Sequence, residues 1–187
     1  MIEHGQALAG GDATNIQWIH ESAENFAGQG PYALITAGQS LHWMQCETVL
    51  PKLSAMLTPN GVLAITTLLF EPSLPWQDGD VAIMKKYSNN PAWRSRNTAD
   101  ELENAGLFKR LGVRHTEPFL IKQTVSDYIE SQHARSSLSL ETMTLSEVEG
   151  FKQDMRNLLQ PFATHDVLTF SVVGKVVWGK PQSSSKN

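Results

Sequence analysis

Cysteine is almost absent from this chain: Cys46 is the only one in 187 residues. No disulfide can form within the chain, and the expectation is a reducing compartment, the cytoplasm. Long apolar runs are missing too. No stretch approaches the ~20 residues that span a bilayer, and no leader pattern opens the sequence, so no membrane partner is expected. Positive charge is in deficit: 15 Lys and Arg stand against 19 Asp and Glu, a net charge of −4. That balance argues against a nucleic-acid-binding surface. His4, His20, His115, His133 and His165 show no metal-ligand spacing, so no metal is expected, and no Walker loop occurs. There is no Gly-x-Gly-x-x-Gly turn either, so a dehydrogenase-type dinucleotide site has no support.

What is present reads as one α/β domain over residues 1–180, with a Ser- and Lys-rich tail over 181–187 expected to be disordered. Ile2–Leu8 suits a short helix, and Ile16–His20 alternates enough for a strand. The run Tyr32-Ala-Leu-Ile-Thr-Ala-Gly-Gln-Ser-Leu-His-Trp43 begins with a buried strand, about Ala33 to Thr36, and continues into a glycine-containing turn. Cys46, Val49, Leu50, Leu53, Met56 and Leu57 then follow helical spacing. Thr58-Pro-Asn-Gly61 reads as a stop, and Val62–Thr66 as the next strand. Two apolar runs joined by a helix predict parallel strands, because a parallel pair needs a crossover. Ligands of such sheets lie beyond the carboxyl ends of the strands, which points to Thr36–Trp43.

Residues 67–96 differ in character, with Trp76, Trp93 and the polar run Gln77-Asp-Gly-Asp80, expected to be a turn before a short helix over Val81–Tyr87. A long aromatic excursion after a strand suits an acceptor-binding lid or a packed surface insertion. Thr98-Ala-Asp-Glu101 opens a helix ending at Gly106, and Phe108–His115 reads as a strand. Thr124–Arg135 carries helical spacing. A capping box at Thr144-Leu-Ser-Glu147 starts a helix with Val148, Phe151, Met155, Leu158 and Leu159 on one face. Val167–Val173 alternates like a half-buried strand, continued after a bulge at Gly174 by Lys175–Trp178.

In order and spacing these pieces resemble class I S-adenosylmethionine-dependent methyltransferases of the small-molecule type. The similarity is carried by Ile16-Gln-Trp-Ile-His-Glu-Ser-Ala-Glu-Asn-Phe26, by Thr36-Ala-Gly-Gln followed by His42-Trp43, and by Pro59-Asn-Gly61. The resemblance implies a Rossmann-like sheet of parallel strands with an antiparallel C-terminal strand. It also implies N-terminal incompleteness, since the family's glycine loop and its ribose-binding acid have no counterpart in the sequence. S-adenosyl-L-methionine is the implied cofactor, bound weakly or not at all by this chain, and a small-molecule methyl acceptor is the implied partner. A homo-oligomer covering the incomplete sheet is expected, and a non-catalytic remnant of the fold, acting as a binding or oligomerising module, is the alternative.

By the same resemblance, Ser22, Ala23 and Glu24 form the adenine-side turn, with an ordinary N-cap as the other reading of Ser22. Ala37, Gly38 and Gln39 form part of the methionine wall, Gly38 allowing close backbone approach or a left-handed turn. His42 is the candidate to orient or deprotonate the acceptor. Trp43 either walls the acceptor channel or folds into the core. Trp76 and Arg135 complete the acceptor-side set, Arg135 as a carboxylate clamp or as a surface arginine at a helix end.

Overall fold

The structure, a computed structural model, describes residues 2–70, 72–90 and 97–182. A short helix α1 (Ile2–Ala7) is followed by turns and irregular chain up to strand β1 (Tyr32–Gly38). A 3-10 turn (Leu41–Trp43) leads to α2 (Cys46–Met56), and β2 (Leu57–Phe70) starts at the next residue. Then come α3 (Gln77–Tyr87), α4 (Thr98–Asn104), β3 (Phe108–His115), β4 (Phe119–Thr124), α5 (Val125–Gln132), α6 (Leu145–Leu159) and β5 (Val167–Pro181). The sheet order is β1-β2-β5-β3, and β4 also pairs with β5, antiparallel, from Phe119 opposite Val172 to Thr124 opposite Val167. Among the described residues no helix is long and apolar enough to cross a membrane.

Several sequence expectations are corrected here. Ile16–His20 forms no strand; Ile16, Trp18 and Ile19 are exposed, and the Trp18 indole N–H donates to the Gly11 carbonyl at 2.8 Å. Alternation alone cannot make a strand where no neighbouring strand supplies backbone partners. Thr58–Gly61 is no stop but the opening of β2, Pro59 being tolerated at a strand start. The Gln77–Asp80 run is the first turn of α3, where Asp78 and Asp80 suit the positive helix end. β5 runs through Gly174 and takes in Pro181, which the sequence assigns to a disordered tail. β4 escapes the sequence reading because its six residues follow Pro118 without clean alternation. Trp93 lies outside the described residues.

The chain divides into two compact units. The first comprises Met1–Ala64, Thr98–Leu111 and Trp178–Asn187. Its buried side chains include Leu41, Val49, Leu50, Leu63, Leu102 and Phe108. Near the end of β5, the Lys180 ammonium donates to the carbonyls of Pro59 and Gly61, and the Gln182 N–H to that of Leu107.

The second unit comprises Ile65–Asn97 and Gly112–Val177. It has a helical core of Leu74, Trp76, Met84, Tyr128, Ile129, Phe151, Met155, Leu159 and Leu168, with others. The capping box foreseen at Thr144 is formed: its hydroxyl accepts from the Glu147 N–H, and the Glu147 carboxylate accepts from the Thr144 N–H at 2.8 Å. α3 and α6 pack closely because glycine stands at both contacts. A Cβ on Gly79 would meet Leu158 at 2.5 Å, and one on Gly150 would meet the Tyr87 hydroxyl at 2.8 Å. Salt bridges Lys86–Asp154 (2.7 Å) and Lys152–Glu130 (2.8 Å) hold α6 to α3 and α5 from the solvent side.

Phe151 is fully buried and meets the rings of Tyr87 (5.7 Å) and His133 (5.2 Å). Truncation to alanine removes its dispersion contacts and leaves a cavity. We predict that Phe151→Ala lowers stability by about 3–5 kcal/mol, read from urea unfolding. A loss below ~1 kcal/mol would mean that the helices close over the gap.

Candidate functional site

Within the first unit, β1 ends at Gly38 and the chain turns through Gln39, whose φ of 47° lies in the left-handed region. The turn therefore places its left-handed residue at Gln39 rather than at Gly38. From there Ser40 leads into the 3-10 turn, which carries His42 and Trp43. Leu41 is buried, whereas Trp43 is 68% exposed and stacks obliquely on the His42 ring at 4.8 Å. The core-packed alternative for Trp43 is thereby excluded.

On the other side, Ser22 accepts backbone N–H bonds from Asn25 and Phe26, forming a tight turn, and its hydroxyl accepts a further bond from Asn25 at 3.3 Å. Ser22 thus closes a turn, and no helix follows it to be capped. The Glu24 carboxylate accepts the Gln45 N–H at 2.8 Å, and the Lys52 ammonium donates to the Glu24 carbonyl. Gln45 is the N-cap residue of α2, so Glu24 joins the turn to a helix start. The Gln45 N–H, foremost, holds the Glu24 carboxyl below its ordinary value, with smaller help from the Ser22 hydroxyl and the Lys52 charge.

Between these parts lies a cavity of about 320 Å³. Ala23 and Phe26 line it from the turn, Tyr32 and Leu34–Ala37 from β1, and Ser40, Leu41 and Met44 from the chain after it. Val49, Leu53 and Met56 of α2 close it. Its polar side chains are the hydroxyls of Tyr32, Thr36 and Ser40, and none is charged. Two of the six cofactor-side candidates, Ala23 and Ala37, line it. Ser22, Glu24, Gly38 and Gln39 adjoin those residues in sequence, and His42 and Trp43 share the turn of the lining residue Leu41.

The remaining candidates belong to the second unit. Trp76 is 3% exposed and sits in the helical core, edge-on to Tyr128 and Phe170. Its N–H donates to the Tyr128 hydroxyl at 3.2 Å. Arg135 donates through Nε to Gln132 at 3.0 Å, just past the end of α5. What joins the two is a polar group the sequence reading missed, the pair of Tyr128 and Asp80. The Tyr128 hydroxyl lies 3.5 Å from one Asp80 carboxylate oxygen, and the other oxygen is buried without a hydrogen-bond partner. The sequence signal for Asp80 is faint: this residue follows the polar run Gln77-Asp-Gly, which suits a turn, and only Val81-Ala-Ile83 after it is apolar.

Burial pushes the Asp80 carboxyl up, opposed by the Arg135 charge and by the Tyr128 hydroxyl. Burial, reinforced by the Asp80 charge, pushes Tyr128 up to about 12. Tyr128 therefore stays protonated at neutral pH, and its hydroxyl remains a donor.

Neither a protein-family model nor a curated protein matches this sequence. Solved structures do match the fold. A candidate methyltransferase from Bacillus halodurans superposes with a TM-score of 0.52 at 15% identity, covering 97% of this chain and 79% of that one. A candidate type II methyltransferase from Anaeromyxobacter dehalogenans does so with a TM-score of 0.50 at 15% identity, over 95% and 76%. The chain shares the Rossmann-like α/β fold of these methyltransferase structures.

Asp80 gives this geometry a pH signature. A carboxyl whose folded-state value is raised binds its proton more tightly when folded than unfolded. Stability therefore falls as pH rises from the ordinary aspartate range, about 4, through the raised value. Asp80→Asn retains an oxygen for Tyr128 and removes the titration. We predict that the wild-type urea midpoint declines relative to Asp80→Asn over that window. Parallel pH profiles for the two proteins would contradict a raised Asp80.

Proposed function

We propose that this chain is an S-adenosylmethionine-dependent methyltransferase acting on a small-molecule acceptor. The observation that carries the reading is the cavity that runs along β1 and reaches past its carboxyl end to Ser40 and Leu41, the side on which open α/β sheets hold their ligands. Its lining suits the flat, largely apolar adenine part of the cofactor: Phe26, Leu34, Leu53 and Met56 offer apolar surface, and Thr36 and Ser40 offer hydroxyls. The ribose hydroxyls and the charged amino-acid end find no carboxylate among the lining side chains. The fit is thus to one part of the cofactor, and weak binding follows. When bound, the cofactor supplies an electrophilic methyl group.

In this reading the chain's own residues hold and shield the ligand. The apolar walls exclude water, which strengthens the polar contacts that remain. The Glu24–Gln45 hydrogen bond fixes the adenine-side turn against the start of α2. His42 is the candidate group to accept an acceptor proton, and exposed Trp43 offers a face on which an acceptor can stack. Trp76, in contrast, serves the second unit's core, and Arg135 is engaged beside Asp80. The purely apolar and hydroxyl lining also favours a second reading, in which the fold serves as a non-catalytic binding module.

The test is calorimetric titration with S-adenosylhomocysteine, comparing the wild-type chain with Thr36→Trp. Thr36 lines the cavity yet is exposed, so a bulky replacement fills the space without disturbing a core. We expect a dissociation constant of about 100 μM or weaker for the wild type, rising about tenfold or more in the variant. Binding absent even at millimolar ligand would overturn the enzyme reading for this chain and support the module.

A further inference from the structure

Within the second unit, and whatever the cavity of the first unit binds, we infer that Arg135 is a proton-coupled carboxylate-binding site. A ligand carboxylate and the ionised Asp80 compete for its one guanidinium, so that binding takes up a proton.

Arg135 is exposed, yet it is not a loose surface side chain. Its Nε donates at 3.0 Å to Gln132, which is 5% exposed. The Gln132 amide is itself tied, donating to the Tyr128 carbonyl at 3.2 Å and to the Ser131 hydroxyl at 3.3 Å. A buried glutamine of α5 thus orients an exposed arginine just past the helix end. A guanidinium already held in place loses less side-chain freedom when a ligand arrives. The anchor engages Nε and leaves the two Nη groups, a fork that matches the two oxygens of a carboxylate. Among the described residues no carboxylate forms an ion pair with that fork.

The carboxylate that acts on Arg135 is internal. Asp80 is 6% exposed; one of its oxygens has no hydrogen-bond partner, and the other lies 3.5 Å from the Tyr128 hydroxyl. The Arg135 charge favours its ionised form, so the two groups are coupled without contact. Tyr128 stays protonated and is the other group that acts on Asp80. α6, also packed on α3, brings Asp154, which is held by Lys86 and Tyr87, and Lys152, which pairs with Glu130.

A ligand carboxylate on the Nη fork offsets the charge that favours ionised Asp80. Ionised Asp80, in turn, weakens the attraction of the fork for the ligand. These are one coupling seen from two sides. Burial already holds the Asp80 carboxyl above its ordinary value, and the ligand raises it further. Affinity is therefore highest where Asp80 is protonated and falls as pH rises through that raised value.

The test is an NMR titration of the isotope-labelled full chain with sodium formate, against sodium chloride at equal ionic strength. It is run at about pH 5 and about pH 8, where formate is ionised. The resonance followed is the Arg135 Nε–H, protected by its bond to Gln132 and identified by its loss in Arg135→Lys. We expect a saturating shift with formate, with binding about fivefold or more tighter at the lower pH. Asp80→Asn should bind at the higher pH as tightly as the wild type does at the lower, with no pH dependence. Formate indistinguishable from chloride at both pH values overturns the site. Equal wild-type affinities at the two pH values overturn the coupling, and with it the proposal. The wild-type comparison depends on no variant and no cofactor, so its failure leaves the methyltransferase reading untouched.

Discussion

Backbone pairing through β5 is the constraint on which the sheet depends. That strand lies between β2 and β3 and also pairs with β4, so three other strands satisfy part of their hydrogen bonding through one 15-residue segment. Buried peptide groups left unpaired are costly, and β5 leaves little room for an alternative register. Its burial is two-sided: Leu168 and Val172 share one face of the strand and Val173 and Val177 the other, and all four are buried. Lys180 adds a polar tie near the strand's end by reaching two carbonyls of β2.

The helical core of the second unit answers to a different pressure. Apolar burial around Phe151 and Met155 favours close helix packing, and glycine at positions 79 and 150 permits it. The same packing encloses Asp80, which is 6% exposed. Enclosing a carboxylate in apolar surroundings opposes folding unless a partner compensates. Tyr128 and Arg135 compensate in part, and Trp76 orients the tyrosine through its indole N–H.

Much of this was legible in the sequence where a local rule had no competitor. β3 coincides with the run Phe108–His115, and the α6 capping box forms at Thr144, because alternation and capping are settled within a few residues. The reading failed where the outcome is decided by distant chain. Ile16–His20 has strand alternation but no neighbouring strand. Asp80 looks like a turn residue until Tyr128, 48 positions away, is folded against it. For the cavity, the sequence located the strand end and the turn that follows. It did not show that Glu24 would engage the start of α2, nor that α2 would form a wall through Val49, Leu53 and Met56. For the segment of Trp76 the sequence leaves a lid and a packed insertion open, because only distant chain decides whether the indole is buried; in the fold Trp76 is packed in the core.

The position of β5 in the chain also sets a timetable. During synthesis α2 and the strands flanking it emerge early and can form through local contacts, since domains assemble as the chain is made. β3 and β4 must then wait until more than 50 further residues, including α5 and α6, have been added before the whole of β5 is available. Until that moment β2 presents one unpaired side, and the growing chain exposes the kind of apolar strand edge that chaperones recognise. The dependence of this sheet on its last strand is therefore a demand on the cell's folding machinery as much as on the chain itself.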